Sequence, residues 1–212
     1  MSYFDLSCRK CPRLSDYLDK VKAQYPDYHC APVAPFGDPD AKLLIVGLAP
    51  GMHGANATGR PFTGDYAGIL LYETLYKHGF GSQEESLNAQ DGLALRNCRI
   101  TNAVKCLPPA NKPLGPEIRQ CNDYLVTELE SLPEGAVILA LGHIAHQAVV
   151  RASGQKLKDY PFGHGRWVSL PTGHYLLDSY HCSRYNTATR RLTAEMFTRV
   201  FDTAKRLLNA DG

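Results

Sequence analysis

Two short runs limit what this chain can fold into more than any other feature. Leu43-Leu44-Ile45-Val46 leads into Gly47, and Ala136-Val137-Ile138-Leu139-Ala140-Leu141 leads into Gly142. Both are apolar at every position. A strand with one face in water alternates apolar and polar residues, so an unbroken apolar run fits a strand covered on both faces. Two further strands are predicted, at 99–105 and 175–180. Helical patterns fall between them. Residues 65–78 place Ile69, Tyr72, Leu75 and Tyr76 at helical spacing, with Gly79 as a stop. Residues 116–132 carry Ile118, Cys121, Leu125 and Leu129 on one stripe. Residues 143–153 follow the second apolar run. A long closing helix is predicted over 187–208, with Thr187 as its N-cap, and a polar helix over 15–24 precedes the first strand. This alternation predicts an α/β fold, with a short, mainly parallel sheet of about four strands and helices on both faces. The length of 212 residues suits one domain over 1–212.

Sheets of this kind take ligands outside the carboxyl ends of their strands. The segments to examine are therefore 47–65, 102–113, 142–146 and 180–186. The first is Gly-rich, but it lacks the Gly-x-Gly-x-x-Gly order of a dinucleotide site and the Gly-Lys-Ser/Thr ending of a phosphate loop. Glycines let a ligand approach backbone N–H groups closely. Gly47, Ala49 and Gly51 are candidates for that approach, and Phe62 supplies an aromatic face suited to a flat heterocycle. A tight strand-to-helix connection with Phe62 in the core accounts for the loop equally well. After the Arg99-Ile100-Thr101 run, Asn102 can donate and accept together, matching the imide edge of uracil or hypoxanthine, or it can fix a turn. Past the last strand, His181 is placed to stabilise an anion or to serve as a structural residue. Ser183, Asn186 and Arg190 have the spacing of a phosphate grip, which ordinary capping would also produce. Asp65 opens a helix, and capping is the favoured reading of it.

Net charge is +2, so any nucleic-acid surface must come from charge placement, not total charge. Lys105, Lys112, Arg184 and Arg190 lie near strand ends and are candidate phosphate contacts. No apolar run is long enough to span a membrane and no signal segment opens the chain, so a cytosolic protein is expected. The 7 cysteines form an odd set that argues against a disulfide framework. Cys8 and Cys11 form a close pair within the 1–14 segment. Cys106 and Cys121 form a wider one. Four thiolates suit zinc or an iron–sulfur cluster. Cys182 adjoins His181, but neighbours on a strand face opposite ways, which argues against a nucleophilic pair.

Taken together, "CRKCPRL", "FGDPDAKLLIVGLAPGMHGANATGRPFTGD", "ITNAVKCLPPANKP" and "SYHCSRYNTATRRLT" resemble the uracil-DNA glycosylase superfamily. The likeness is to its iron–sulfur branch, called family 5 or type b, and it covers nearly the whole chain. It implies a three-layer α/β/α sandwich, with a [4Fe–4S] cluster on Cys8, Cys11, Cys106 and Cys121. The activity it implies is monofunctional release of uracil, hypoxanthine or xanthine from DNA, initiating base excision repair, by a monomer. In that reading Phe62 stacks on the base, Asn102 reads its edge, and His181 contacts the O2 side. Ala49 stands where other glycosylases of the superfamily carry Asp, which leaves the water's helper open between Asn56, at the loop position the branch uses near the water, and Asp65, the nearest carboxylate in sequence. Arg60, Lys112, Ser183, Arg184, Asn186 and Arg190 meet the DNA. Two positions depart from the branch: Ala57 replaces an Arg, and Cys182 replaces the Pro of a His-Pro-Ser motif. A non-catalytic DNA-binding protein, or a redox protein using the cluster directly, is the competing expectation.

Overall fold

The structure, a computed structural model, describes residues 4–210. The first three residues of the 1–14 segment and the last two of the chain lie outside it. In chain order the elements are α1 (Pro12–Gln24), β1 (Phe36–Gly37), β2 (Leu43–Gly47), α2 (Ala55–Thr58), α3 (Tyr66–Lys77), β3 (Cys98–Asn102), α4 (Gly115–Glu130), β4 (Val137–Leu141), α5 (His143–Ala152), β5 (Trp167–Ser169), β6 (Tyr175–Ser179), α6 (Arg184–Ala188) and α7 (Ala194–Leu208).

The sheet has six strands in the order β1-β3-β2-β4-β6-β5, rather than about four. The inner strands β3, β2, β4 and β6 are parallel, while β1 and β5 run antiparallel at the two edges. The edge strands are two and three residues long and partly exposed, so neither gives a buried apolar run.

Alternation along β2 divides the core. Leu43 and Ile45 face α3 and α7, meeting Leu71, Leu75, Phe197 and Phe201. Leu44 and Val46 face the opposite layer, meeting Leu125 and Leu129 of α4 and Ala148 and Val149 of α5. Full burial of each such side chain is worth about 1.5–3 kcal/mol, so these two layers fix the sheet and its ends. The result is the three-layer α/β/α arrangement.

The closing helix differs from expectation. The segment over 187–208 is broken, and α6 and α7 are separate. Arg190 has a left-handed backbone at φ 57°. The hydroxyl of Thr193 accepts from the Met196 N–H and starts α7 there. Thr187 lies inside α6, whose N-cap is Ser183. Chain order also sets the site. β2 pairs with β3 on one side and with β4 on the other, so the loops leaving these strands diverge and open a crevice at their carboxyl ends.

Candidate active site

Strand register places Gly47 at the end of β2 directly beside Asn102 at the end of β3. The glycine is required there. A Cβ on it would lie 2.4 Å from Asn102 Oδ1 and 2.7 Å from the Phe62 ring. Beyond this point the strand ends enclose a cavity of about 590 Å³. Leu48, Ala49 and Gly51 line it from the β2 loop, and Phe62, Asp65 and Tyr66 from the approach to α3. Asn102 and Asn111 come from β3 and its loop, Gly142, His143 and Ile144 from β4 and α5, and His181, Ser183 and Arg184 from the end of β6.

Phe62 is a bulky residue at φ 60°, a backbone region that costs of order 1–3 kcal/mol. Its neighbours hold it there. Tyr72 Oη donates to the Pro61 carbonyl at 2.6 Å, and the hydroxyls of Thr63 and Ser86 are 2.6 Å apart. Gly68 lets the first turn of α3 close over Phe62, since a Cβ on it would stand 1.9 Å from the Phe62 carbonyl oxygen. The rings of Phe62 and His181 are inclined by only 24°, with centroids 5.9 Å apart.

Burial pushes His181 down to about 4, so its imidazole is neutral at physiological pH. Its Nδ1 is buried without a hydrogen-bond partner. Asn186 Nδ2 donates to the His181 carbonyl at 2.8 Å and fixes the backbone that carries the ring. The Asn186 amide is thus engaged by the protein itself, and the Ser183 hydroxyl accepts from the Asn186 N–H as the α6 cap. These are the capping contacts that the spacing of the two residues also allowed, and Ser183 lines the cavity as well.

Asp65 also departs from expectation. Its backbone holds the N-cap position of α3, but its side chain makes no capping bond. It turns back onto the Gly-rich loop, where Oδ2 accepts from the Ala55 N–H at 3.1 Å. Burial raises its pKa, and hydrogen bonds from the Ala55 and Gly51 N–H groups partly offset the rise. Asn56 is fully buried and absent from the cavity wall. Its Nδ2 lies 3.5 Å from Cys30 Sγ and from the Met52 carbonyl, behind the loop. Its Oδ1 is buried without a hydrogen-bond partner, and the carboxylate that lines the cavity is Asp65.

Arg60 is corrected as well. It is 6% exposed and bonds to Asp91 Oδ1 at 2.7 Å, Ser86 Oγ at 3.0 Å and the Ala89 carbonyl at 2.8 Å. Burial would raise the Asp91 pKa, but Arg60 and three backbone N–H groups lower it to about 2. Lys105 is likewise buried, paired with Glu128 and out of reach of a phosphate. Arg184, Arg190 and Lys112 are exposed. Arg184 lies at the cavity mouth over the Tyr66 ring, Arg190 borders the adjoining groove, and Lys112 follows Asn111.

Asn111 was not singled out in the sequence. It and Ala110 both hold left-handed backbones, at φ 55° and 53°, in the proline-flanked loop over the cavity. The signal was present: Asn tolerates that region better than most residues, and Pro-Pro-Ala-Asn-Lys-Pro is a loop built for an irregular turn.

A second, smaller cavity lies behind the loop that follows β3. Cys8, Cys11, Cys106 and Cys121 all line it, with Lys10, Lys105 and Tyr124. Burial, followed by the neighbouring cysteine thiolates, pushes Cys106 up to about 12. Among the described residues, no three His, Cys, Asp or Glu side chains are arranged to hold a metal ion.

A short parallel sheet with this crevice, a Gly-rich loop beneath Phe62, and Asn102 and His181 at neighbouring strand ends define the class. The chain belongs to the uracil DNA glycosylase superfamily, whose family model matches residues 34–205. More particularly, it is 47% identical over 206 residues to the type-5 uracil-DNA glycosylase of Thermus thermophilus, spanning 95% of this chain and 94% of that protein. The type-5 uracil-DNA glycosylase of Mycobacterium leprae is 41% identical over 208 residues, 94% and 91% of the two chains. A type-4 uracil-DNA glycosylase of Archaeoglobus fulgidus is 37% identical over 145 residues, 68% of this chain and 59% of that one.

Proposed function

We propose that the protein hydrolyses the bond between uracil and deoxyribose in DNA and leaves an abasic site. The observation that carries this is the meeting of Phe62, Asn102, His181 and Asp65 on one cavity wall. A base inside a duplex is out of reach of such a cavity and must be flipped out. Phe62 offers its ring as a stacking plate. Asn102 matches a ring N–H beside a carbonyl with one acceptor and one donor. Deamination of cytosine, adenine or guanine creates that same edge, so hypoxanthine and xanthine belong to the substrate class.

Bond breaking leaves negative charge on the base and positive character on the sugar. His181 is neutral, and the one ring N–H that it keeps can donate a hydrogen bond to the departing base. Preorganised donors of this kind are typically worth about 2.7–4 kcal/mol in the transition state. Asp65 is the carboxylate on the wall, and it orients and deprotonates the attacking water. Asn111 adds an amide at the mouth. Among the described residues that line the cavity none is a lysine, which suits direct hydrolysis over a covalent amine intermediate and hence a monofunctional enzyme. Arg184, Arg190 and Lys112 meet backbone phosphates. Exposed Tyr185, beside Arg184, is placed to fill the gap left by the flipped base. Among the described residues no helix is long and apolar enough to cross a membrane. The protein acts on DNA as a monomer, at the start of base excision repair.

Cys8, Cys11, Cys106 and Cys121 are read as the holders of a [4Fe–4S] cluster. All four line one small cavity, and a polynuclear group takes its thiolates around such a shared space. When bound, the group would supply a covalent tie between the N-terminal segment, the loop after β3 and α4. That loop carries Asn111, so the tie would set the cavity edge.

The test uses duplexes carrying one uracil, one hypoxanthine or no lesion, each split between alkaline and neutral workup. Strand cutting only after alkali, and only with a lesion, is the expected result. An iron-loaded preparation that cuts none of them would refute the enzyme and leave a DNA-binding protein.

A further inference from the structure

Lys105 and Glu128 form a buried ion pair that the reaction at the cavity does not use. The two are 1% and 6% exposed. Lys105 Nζ donates to Glu128 Oε1 at 2.5 Å and also to the Thr101 hydroxyl. Glu128 Oε2 is buried with no partner. Desolvation makes such a pair a weak source of stability, and apolar side chains of the same volume often do as well or better. Its position points to another role. Lys105 lines the four-cysteine cavity, and its backbone N–H donates to Cys121 Sγ at 3.3 Å. One residue thus brings a hydrogen bond to a sulfur and a full positive charge to the same wall. Lys10 also lines the cavity, but it is exposed, so water and salt screen its charge.

We propose that Lys105 is the internal counter-charge of the four-cysteine site and that Glu128 sets how much of this charge the site feels. The inference rests on the iron–sulfur reading above. An iron–sulfur group held by four thiolates carries net negative charge and gains one more on one-electron reduction. A positive charge fixed in a low-dielectric wall therefore favours the reduced form. A carboxylate paired with that charge opposes it. Removing one or the other must then move the reduction potential in opposite directions, which a merely structural pair would not do.

The experiment measures the reduction potential of the full-length, iron-loaded protein by mediated titration, for wild type, Lys105→Met, Glu128→Gln and the double variant. The expected result is a lower potential for Lys105→Met, a higher one for Glu128→Gln, and a double variant between the two. Shifts of one sign, or no shift, in variants that keep their iron would overturn the proposal while leaving the cluster in place. A wild-type protein without iron or visible absorbance removes the cluster reading and the proposal together. If Lys105→Met does not fold, the rise in Glu128→Gln decides the matter alone.

Discussion

The carboxylate of Asp65 occupies the space that a side chain on Gly54 would need: a Cβ there would lie 2.0 Å from Asp65 Oδ1. Gly51 stands in the same relation, at 2.2 Å. Gly51 and Gly54 thus hold open a seat for Asp65. Gly54→Ala is expected to displace the carboxylate by about an ångström and lower single-turnover uracil release about 10²-fold. The circular dichroism spectrum should stay native, and excision by the variant at the wild-type rate would show that Asp65 needs no such seat.

Asp65 should also shape the pH profile. Burial raises its pKa, and the base must be ionised, so kcat/KM is expected to fall as pH drops through a point above the usual carboxylate range. Asp65→Asn should remove that acid limb along with most of the rate. The sign for stability is opposite. A carboxyl that binds its proton more tightly when folded weakens the fold as pH rises from about 3.9 through the raised value. Asp65→Asn should therefore raise the urea midpoint at neutral pH.

The arginines separate by environment. Arg60→Met breaks a buried pair with Asp91, so a stability loss of about 3–5 kcal/mol is expected in urea unfolding. The salt slope of DNA binding should be unchanged. Arg184→Ala should leave the urea midpoint near wild type and reduce the slope of log K against log salt by about one. An altered salt slope in a folded Arg60 variant would return that residue to the DNA surface.

His146 is buried, with Nδ1 2.8 Å from Asp178 Oδ1 and Nε2 2.8 Å from the Tyr160 carbonyl. Burial lowers its pKa, but the bond and charge of Asp178 and the carbonyl raise it net. Stability from this pair should be complete below the unfolded histidine value of about 6.5 and decline as pH rises through the folded value. Urea midpoints measured across that range should fall in the wild type and change less in His146→Gln.

The parallel core was legible because burial on both faces writes itself as unbroken apolar runs. The two edge strands were not, because Phe36–Gly37 and Trp167–Ser169 are too short and too exposed to carry a period. The closing helix was read as continuous because its apolar spacing survives the break. The Thr193 cap that divides it and the Ser183 cap that starts α6 ahead of it compete with other Ser and Thr residues nearby. Phe62, Asn102 and His181 were singled out from the segments that follow strand ends, and all three line the cavity. The choice between Asp65 and Asn56 as the water's partner stayed open because sequence shows only adjacency to the loop. Which side chain faces the cavity depends on the direction the loop turns, and that is set by contacts with Gly51 and Gly54. Arg60 and Lys105 were misplaced for a related reason: their partners Asp91 and Glu128 lie 31 and 23 residues away.

The break between α6 and α7 gives the two ends of one segment different lifetimes. α7 buries Phe197, Val200, Phe201, Ala204 and Leu207, whereas the five residues of α6 bury none. Amide protons of α7 should exchange with solvent only when the whole protein unfolds. Those of α6 should exchange through small local openings. The lip that carries Ser183 and Arg184 can then re-form around a bound strand many times within the life of a single folded molecule.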